Sequence, residues 1–124
     1  MSRVHAASRS PLAAAGAAAA AMAVGLSAWA AHGLEGADQV RMQTAALYAF
    51  GHGVALAALA PRRRGRAGSA ALALLLAGVS LFCGSLAGAV LFRWPTPAAP
   101  LGGMLMIAGW LLLAADFLRQ RSPG

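Results

Sequence analysis

The side chains able to do chemistry in this sequence are few. Three histidines, one cysteine and three acidic residues are spread over 124 positions. Thr44, Tyr48 and His52 recur every four residues, so they share one helical stripe within an otherwise apolar stretch. An imidazole in that setting supports two readings. As a proton relay or substrate ligand it would exchange a proton; as interhelical glue it would pair with a polar group on a neighbouring helix. By depth, its partners are Ser80, Cys83 or Ser85 on the next apolar stretch, or the indole of Trp110 on the last one. An indole N–H only donates, and a neutral imidazole can accept it. Glue is the favoured reading.

The other reactive residues carry less. Cys83 could form a nucleophile pair with His52, but no oxyanion hole, metal set or third orienting group accompanies it. Asp116 reads as an interfacial carboxylate balancing Arg119 or the arginines of the same side. His32, in "AHGLEG", could be a metal ligand or proton carrier, but no cysteine or second histidine stands at ligand spacing. The favoured reading is structural. His32 caps a helix, Gly33 turns left-handed after it, and Leu34 falls back against Trp29. No catalytic residue, cofactor-binding residue or metal ligand is therefore expected, and an enzyme is the least favoured class.

The elements that must position these residues follow from composition. Hydrophobic residues make up 60% of the chain and charged residues 10%, against about 25% charge in an ordinary soluble domain. A helix crossing a bilayer needs about 20 apolar residues. Four stretches meet that need, at about 12–31, 44–60, 69–92 and 101–118, with the second helix starting earlier, near Asp38. The expected fold is all-α, an integral membrane four-helix bundle over 12–118 with short tails at 1–11 and 119–124. The loop "RWPTPAAP" is broken by its prolines, and Trp94 is placed at the interface.

Arginine placement sets the expected direction, because positive loops stay cytoplasmic. Arg3 and Arg9, then Arg62, Arg63, Arg64 and Arg66, then Arg119 and Arg121 share one side; Arg41 and Arg93 lie on the other, with Glu35 and Asp38. Both termini are expected in the cytoplasm. The rival reading of the first stretch is a cleaved signal ending at Ala28-Trp29-Ala30, although its apolar run exceeds the usual signal core. The net charge of +7 falls in short blocks between long uncharged stretches, which excludes a nucleic-acid surface. The block Arg62 to Arg66 also offers an attraction for anionic lipid. Abundant alanine, glycine and arginine with no lysine or asparagine suggest a GC-rich genome, most simply a bacterial one.

In lipid, helices associate through close packing and hydrogen bonds rather than through the hydrophobic effect. Gly84 and Gly88 stand four residues apart on one face with Ser80, Cys83 and Ala87, which predicts a close helix contact there; Gly102, Gly103 and Gly109 are the packing candidates of the last stretch. Met22, Leu26 and Trp29 form a large-residue stripe expected to face lipid.

Together, "AAHGL" (30–34), "TAALYAFGHGVAL" (44–56), "GVSLFCGSL" (78–86) and "PLGGMLMIAGW" (100–110) resemble the small four-span membrane family of domain of unknown function 423, also called uncharacterised protein family 0382, whose eukaryotic relatives are known as transmembrane protein 256. The resemblance implies four membrane helices in the inner membrane and brings no established activity. His32, His52, Gly84, Ser85, Gly102, Gly103 and Trp110 fit its pattern. Cys83 stands where the family usually has serine, which argues against thiol chemistry, and Ala87 stands where tyrosine is common. The function expected is a non-enzymatic accessory or structural membrane component, with a lipid bilayer, another membrane protein or a second copy as partner. The alternative is a small oligomeric transporter or proton conductor using His52.

Overall fold

The computed structural model describes residues 9–62 and 65–120. The expected topology and lipid roles of Arg3, Arg63, Arg64 and Arg121 lie outside the described residues. Four helices follow in order: α1 Pro11–Gly33, α2 Gly36–Leu59, α3 Arg66–Phe92 and α4 Ala98–Arg119. No strand occurs among the described residues. At 1.5 Å per residue the helices are about 33–40 Å long, enough to cross about 30 Å of hydrocarbon.

Local sequence explains where the helices begin and end. The Ser10 hydroxyl accepts from the Ala13 N–H at 3.2 Å, with Pro11 at the first helical position. Helix α1 runs through Gly33 and stops at Leu34, which is extended. The expected left-handed turn at Gly33 is therefore corrected: the positive φ belongs to Gly36, at +59°, and His32 lies inside the helix. Gly33 is small for another reason. A Cβ there would stand 2.9 Å from Trp29 Cδ1, so the indole lies over it. Leu34 packs beside Ala30, Met42 and Val90 and not where the turn reading put it. The last carbonyls of α1 are met by a side chain of α2: Gln39 Nε2 donates to Ala30 O at 3.1 Å and reaches toward Ala31 O at 3.5 Å.

The extensively packed pairs are α1 with α2, α2 with α3, and α3 with α4. Two apolar clusters hold them. At the end carrying both termini, Leu56, Ala71, Leu72, Leu75 and Leu113 join α2, α3 and α4, with Leu12 of α1 against them. At the end carrying the α1–α2 and α3–α4 connections, Ala30, Met42 and Val90 join α1, α2 and α3. Leu26 packs on this second cluster, which corrects its expected place in a lipid-facing stripe; Met22 does face outward, 64% exposed.

The outside of the bundle is as apolar as the inside. Leu47, Met104, Leu111 and Leu118 stand out from it, and all four helices are long and apolar enough to span a membrane. Water-soluble monomers rarely expose so many large apolar side chains together. Lipid is the solvent that suits such a surface, and the protein is a multi-pass membrane protein.

Candidate functional site

His52 is buried, 9% exposed, on the face of α2 that looks toward α3 and α4. Its Nε2 lies 2.9 Å from the Trp110 Nε1 of α4, and its Nδ1 lies 2.8 Å from the carbonyl oxygen of Tyr48, one turn back. An indole N–H can only donate and a carbonyl can only accept. Both contacts therefore select the same neutral tautomer, with the proton on Nδ1. His52 lies seven residues from the end of α2 and Trp110 nine from the end of α4, about 10–14 Å of helix rise. The pair stands well inside the span.

Aromatic rings surround this hydrogen bond. Tyr48 stacks on His52 at 5.9 Å, with 19° between the rings, and touches Phe82 of α3 at 4.8 Å. Trp110 meets the imidazole edge-on at 5.6 Å. Tyr48 and Trp110 are 39% and 40% exposed, so the cluster is dry on the α3 side and open to lipid on the other. Phe82 escaped sequence reasoning, because nothing separates one phenylalanine from another in an apolar helix.

The remaining polar candidates divide. Ser80 is exposed on the outer face of α3, so its expected place beside His52 is corrected. The Cys83 thiol donates to the Ala45 carbonyl of α2 at 3.1 Å, a link between α2 and α3 and not a partnership with His52. The Ser85 hydroxyl oxygen is buried with no hydrogen-bond partner, so it too is not paired with the imidazole. His32 is exposed beside the α1–α2 connection and lines a shallow cleft with Glu35 and Asp38. Asp116 is buried, 9% exposed, deeper than its interfacial reading implied, and Oδ2 accepts from Gln120 Nε2 at 3.1 Å. Arg62 and Arg66 are exposed at the end that carries both termini.

Glycine makes the close approaches, at positions only partly anticipated. A Cβ on Gly16 would stand 2.6 Å from Gly53 O, and one on Gly53 2.5 Å from Gly16 O, so α1 and α2 touch backbone to backbone. Helices α3 and α4 do the same at Gly78 and Gly102, where a Cβ on Gly102 would be 2.5 Å from Phe82 N. Gly109 fits against Leu75 and Ala71 O. The expected packing contacts of Gly84 and Gly103 are corrected: both have open space where a side chain would go. Gly88 is corrected in its partner, since it receives the Trp94 ring of the α3–α4 connection and not a helix.

One polar link joins distant parts of the chain at the opposite end. Arg93 ends α3 in a left-handed conformation, φ 57°, and its Nη1 donates to Asp38 of α2 at 2.8 and 3.1 Å. Arg41 Nη1 stands 3.6 Å from the same carboxylate. Sequence reading had put Asp38, Arg41 and Arg93 on one side without joining them.

Among known families, the model described as "Protein of unknown function (DUF423)" matches residues 26–103. The match takes in the α1 end, all of α2 and α3, and the start of α4, and so includes His52, Phe82 and the Gly78–Gly102 crossing. No solved structure matches the chain.

Proposed function

From the premise that this chain belongs to the DUF423 family, we propose that it is a non-enzymatic accessory or structural component of the bacterial inner membrane. The observation that carries the reading is the state of His52. Both ring nitrogens are engaged within the chain, one by Tyr48 O and one by Trp110 Nε1. A relay passes its proton between titratable neighbours, and a peptide carbonyl and an indole N–H are neither; here they engage the ring in holding α2 to α4. We place both termini in the cytoplasm on the arginine distribution, and Arg62 to Arg66 beside anionic headgroups of that leaflet. The partner is another membrane protein or a second copy.

The test is purification in native-lipid particles with quantitative identification of what accompanies the chain. A stoichiometric membrane protein supports the accessory reading. A self-associated dimer with pH-dependent flux in proteoliposomes favours the transporter reading, for which the lipid-side opening at Tyr48 and Trp110 is the observation in favour. A reporter that fluoresces only in the cytoplasm, fused after Gly124, is expected to light up; a dark, intact fusion overturns the topology.

A further inference from the structure

Where α2 begins and α3 ends, Arg41, Ala89, Arg93, Trp94, Pro95 and Thr96 line a cleft of about 250 Å³. Two guanidinium groups converge there on one carboxylate, Asp38. Arg93 reaches that carboxylate through Nη1 alone, which leaves its Nε and Nη2 protons to donate elsewhere. Arg41 stands beyond hydrogen-bonding distance of it. The group of three carries a surplus of one positive charge. Glu35, the nearest other acid in sequence, lines the neighbouring cleft on the far side of Asp38 and not this one.

The depth suits one kind of anion. Arg41 lies five residues into α2, about 7.5 Å of helix rise, and directly precedes the uncharged run 42–60, which puts it near the boundary between headgroups and hydrocarbon. Trp94 stands beside it, stacked on Phe92 at 4.8 Å, and indoles collect at that level. The guanidinium fork matches phosphate geometry. We propose that this cleft binds the phosphate of an anionic phospholipid headgroup, with Arg41 and Arg93 as donors and the Thr96 hydroxyl beside them. The acyl chains then run down the apolar outside of the bundle. This site is at the opposite end from Arg62 and Arg66, and it rests on the membrane setting alone, not on the accessory role.

The test uses the full chain in phosphatidylethanolamine vesicles containing a photoreactive phosphatidylglycerol, with adducts mapped by peptide. Adducts are expected on the Ala89–Thr96 segment and around Arg41, several-fold above those of a photoreactive phosphatidylethanolamine. They should fall at least tenfold in Arg41→Gln/Arg93→Gln while the helical content and vesicle insertion are retained. Asp38→Asn removes the competing carboxylate and should hold or raise the adduct yield; this variant decides the matter if the double variant fails to insert. Equal labelling by the two lipids, unchanged labelling in the double variant, loss of labelling in Asp38→Asn, or displacement by excess inorganic phosphate would each overturn the proposal, the last by assigning the cleft to a free anion.

Discussion

Trp110 Nε1 donates to His52 Nε2 across 2.9 Å, although α2 and α4 are not among the extensively packed helix pairs. The side chains span a gap that the backbones leave open. Removing one partner leaves a polar atom without its mate in an apolar surround, so Trp110→Phe and His52→Leu should each destabilise the bundle. Interhelical hydrogen bonds in membrane proteins average about 0.6 kcal/mol, with a maximum near 1.7. A double-mutant cycle on unfolding in detergent is expected to give a coupling energy of that size. Additive effects would show that the contact holds nothing.

Glycine substitutions should sort by position rather than by residue type. Gly16→Ala, Gly53→Ala, Gly78→Ala and Gly102→Ala each place a Cβ within 2.8 Å of a neighbouring helix backbone. Each should cost roughly 1–3 kcal/mol, the range for overpacking. Gly84→Ala and Gly103→Ala enter open space and gain helix propensity, about 1 kcal/mol in water and less in lipid. Thermal unfolding in detergent separates the two groups. A destabilised Gly84→Ala would instead reveal a contact with a second chain.

Arg93 joins two opposing terms. Its left-handed backbone costs about 1–2 kcal/mol relative to glycine, while its exposed ion pair with Asp38 contributes about 0.2–1 kcal/mol. Arg93→Gly should therefore be neutral or stabilising. Arg93→Ala keeps the strain and loses the pair, and should be the less stable of the two. Raising the salt concentration should narrow the difference between wild type and Arg93→Ala, because screening weakens the pair and leaves the backbone term alone.

Gln39 meets the carbonyl end of α1 through its amide donor. Gln39→Ala should cost about 1 kcal/mol, a typical net hydrogen bond. Gln39→Glu should cost more, since a carboxylate would face the negative end of the helix dipole and accept where a donor is needed. Hydrogen exchange at the last turn of α1 reads the effect. Equal protection in Gln39→Glu and wild type would contradict the cap.

The spans were legible because length and hydropathy alone decide whether a helix can cross a bilayer. The His52–Trp110 pair was legible because a donor-only indole and a neutral imidazole are complementary at similar depth, although the sequence left three other partners open. The rotation of each helix was not legible. In water, an apolar stripe marks the buried face; in lipid, both faces are apolar, so Leu26 and Met22, one turn apart on α1, look alike in sequence although one is packed and the other exposed. The same blindness chose Gly84 for a crossing that Gly78 makes. The Asp38–Arg93 link spans 55 positions, and no local spacing announces it. Gly33 and Gly36 are alike in sequence, but the Trp29 ring lies over the first and the chain turns on the second.

The clamp between α2 and α4 depends on where one ring carries its proton. Solid-state nitrogen NMR of the protein in bilayers, with ¹⁵N in the histidine rings and Trp110 indole, reads it directly. The expected result is a neutral His52 with the proton on Nδ1 and a through-space correlation from the Trp110 N–H to Nε2. A proton on Nε2, or no correlation between it and the Trp110 N–H, with all four helices still in place would contradict the clamp and return His52 to proton transfer.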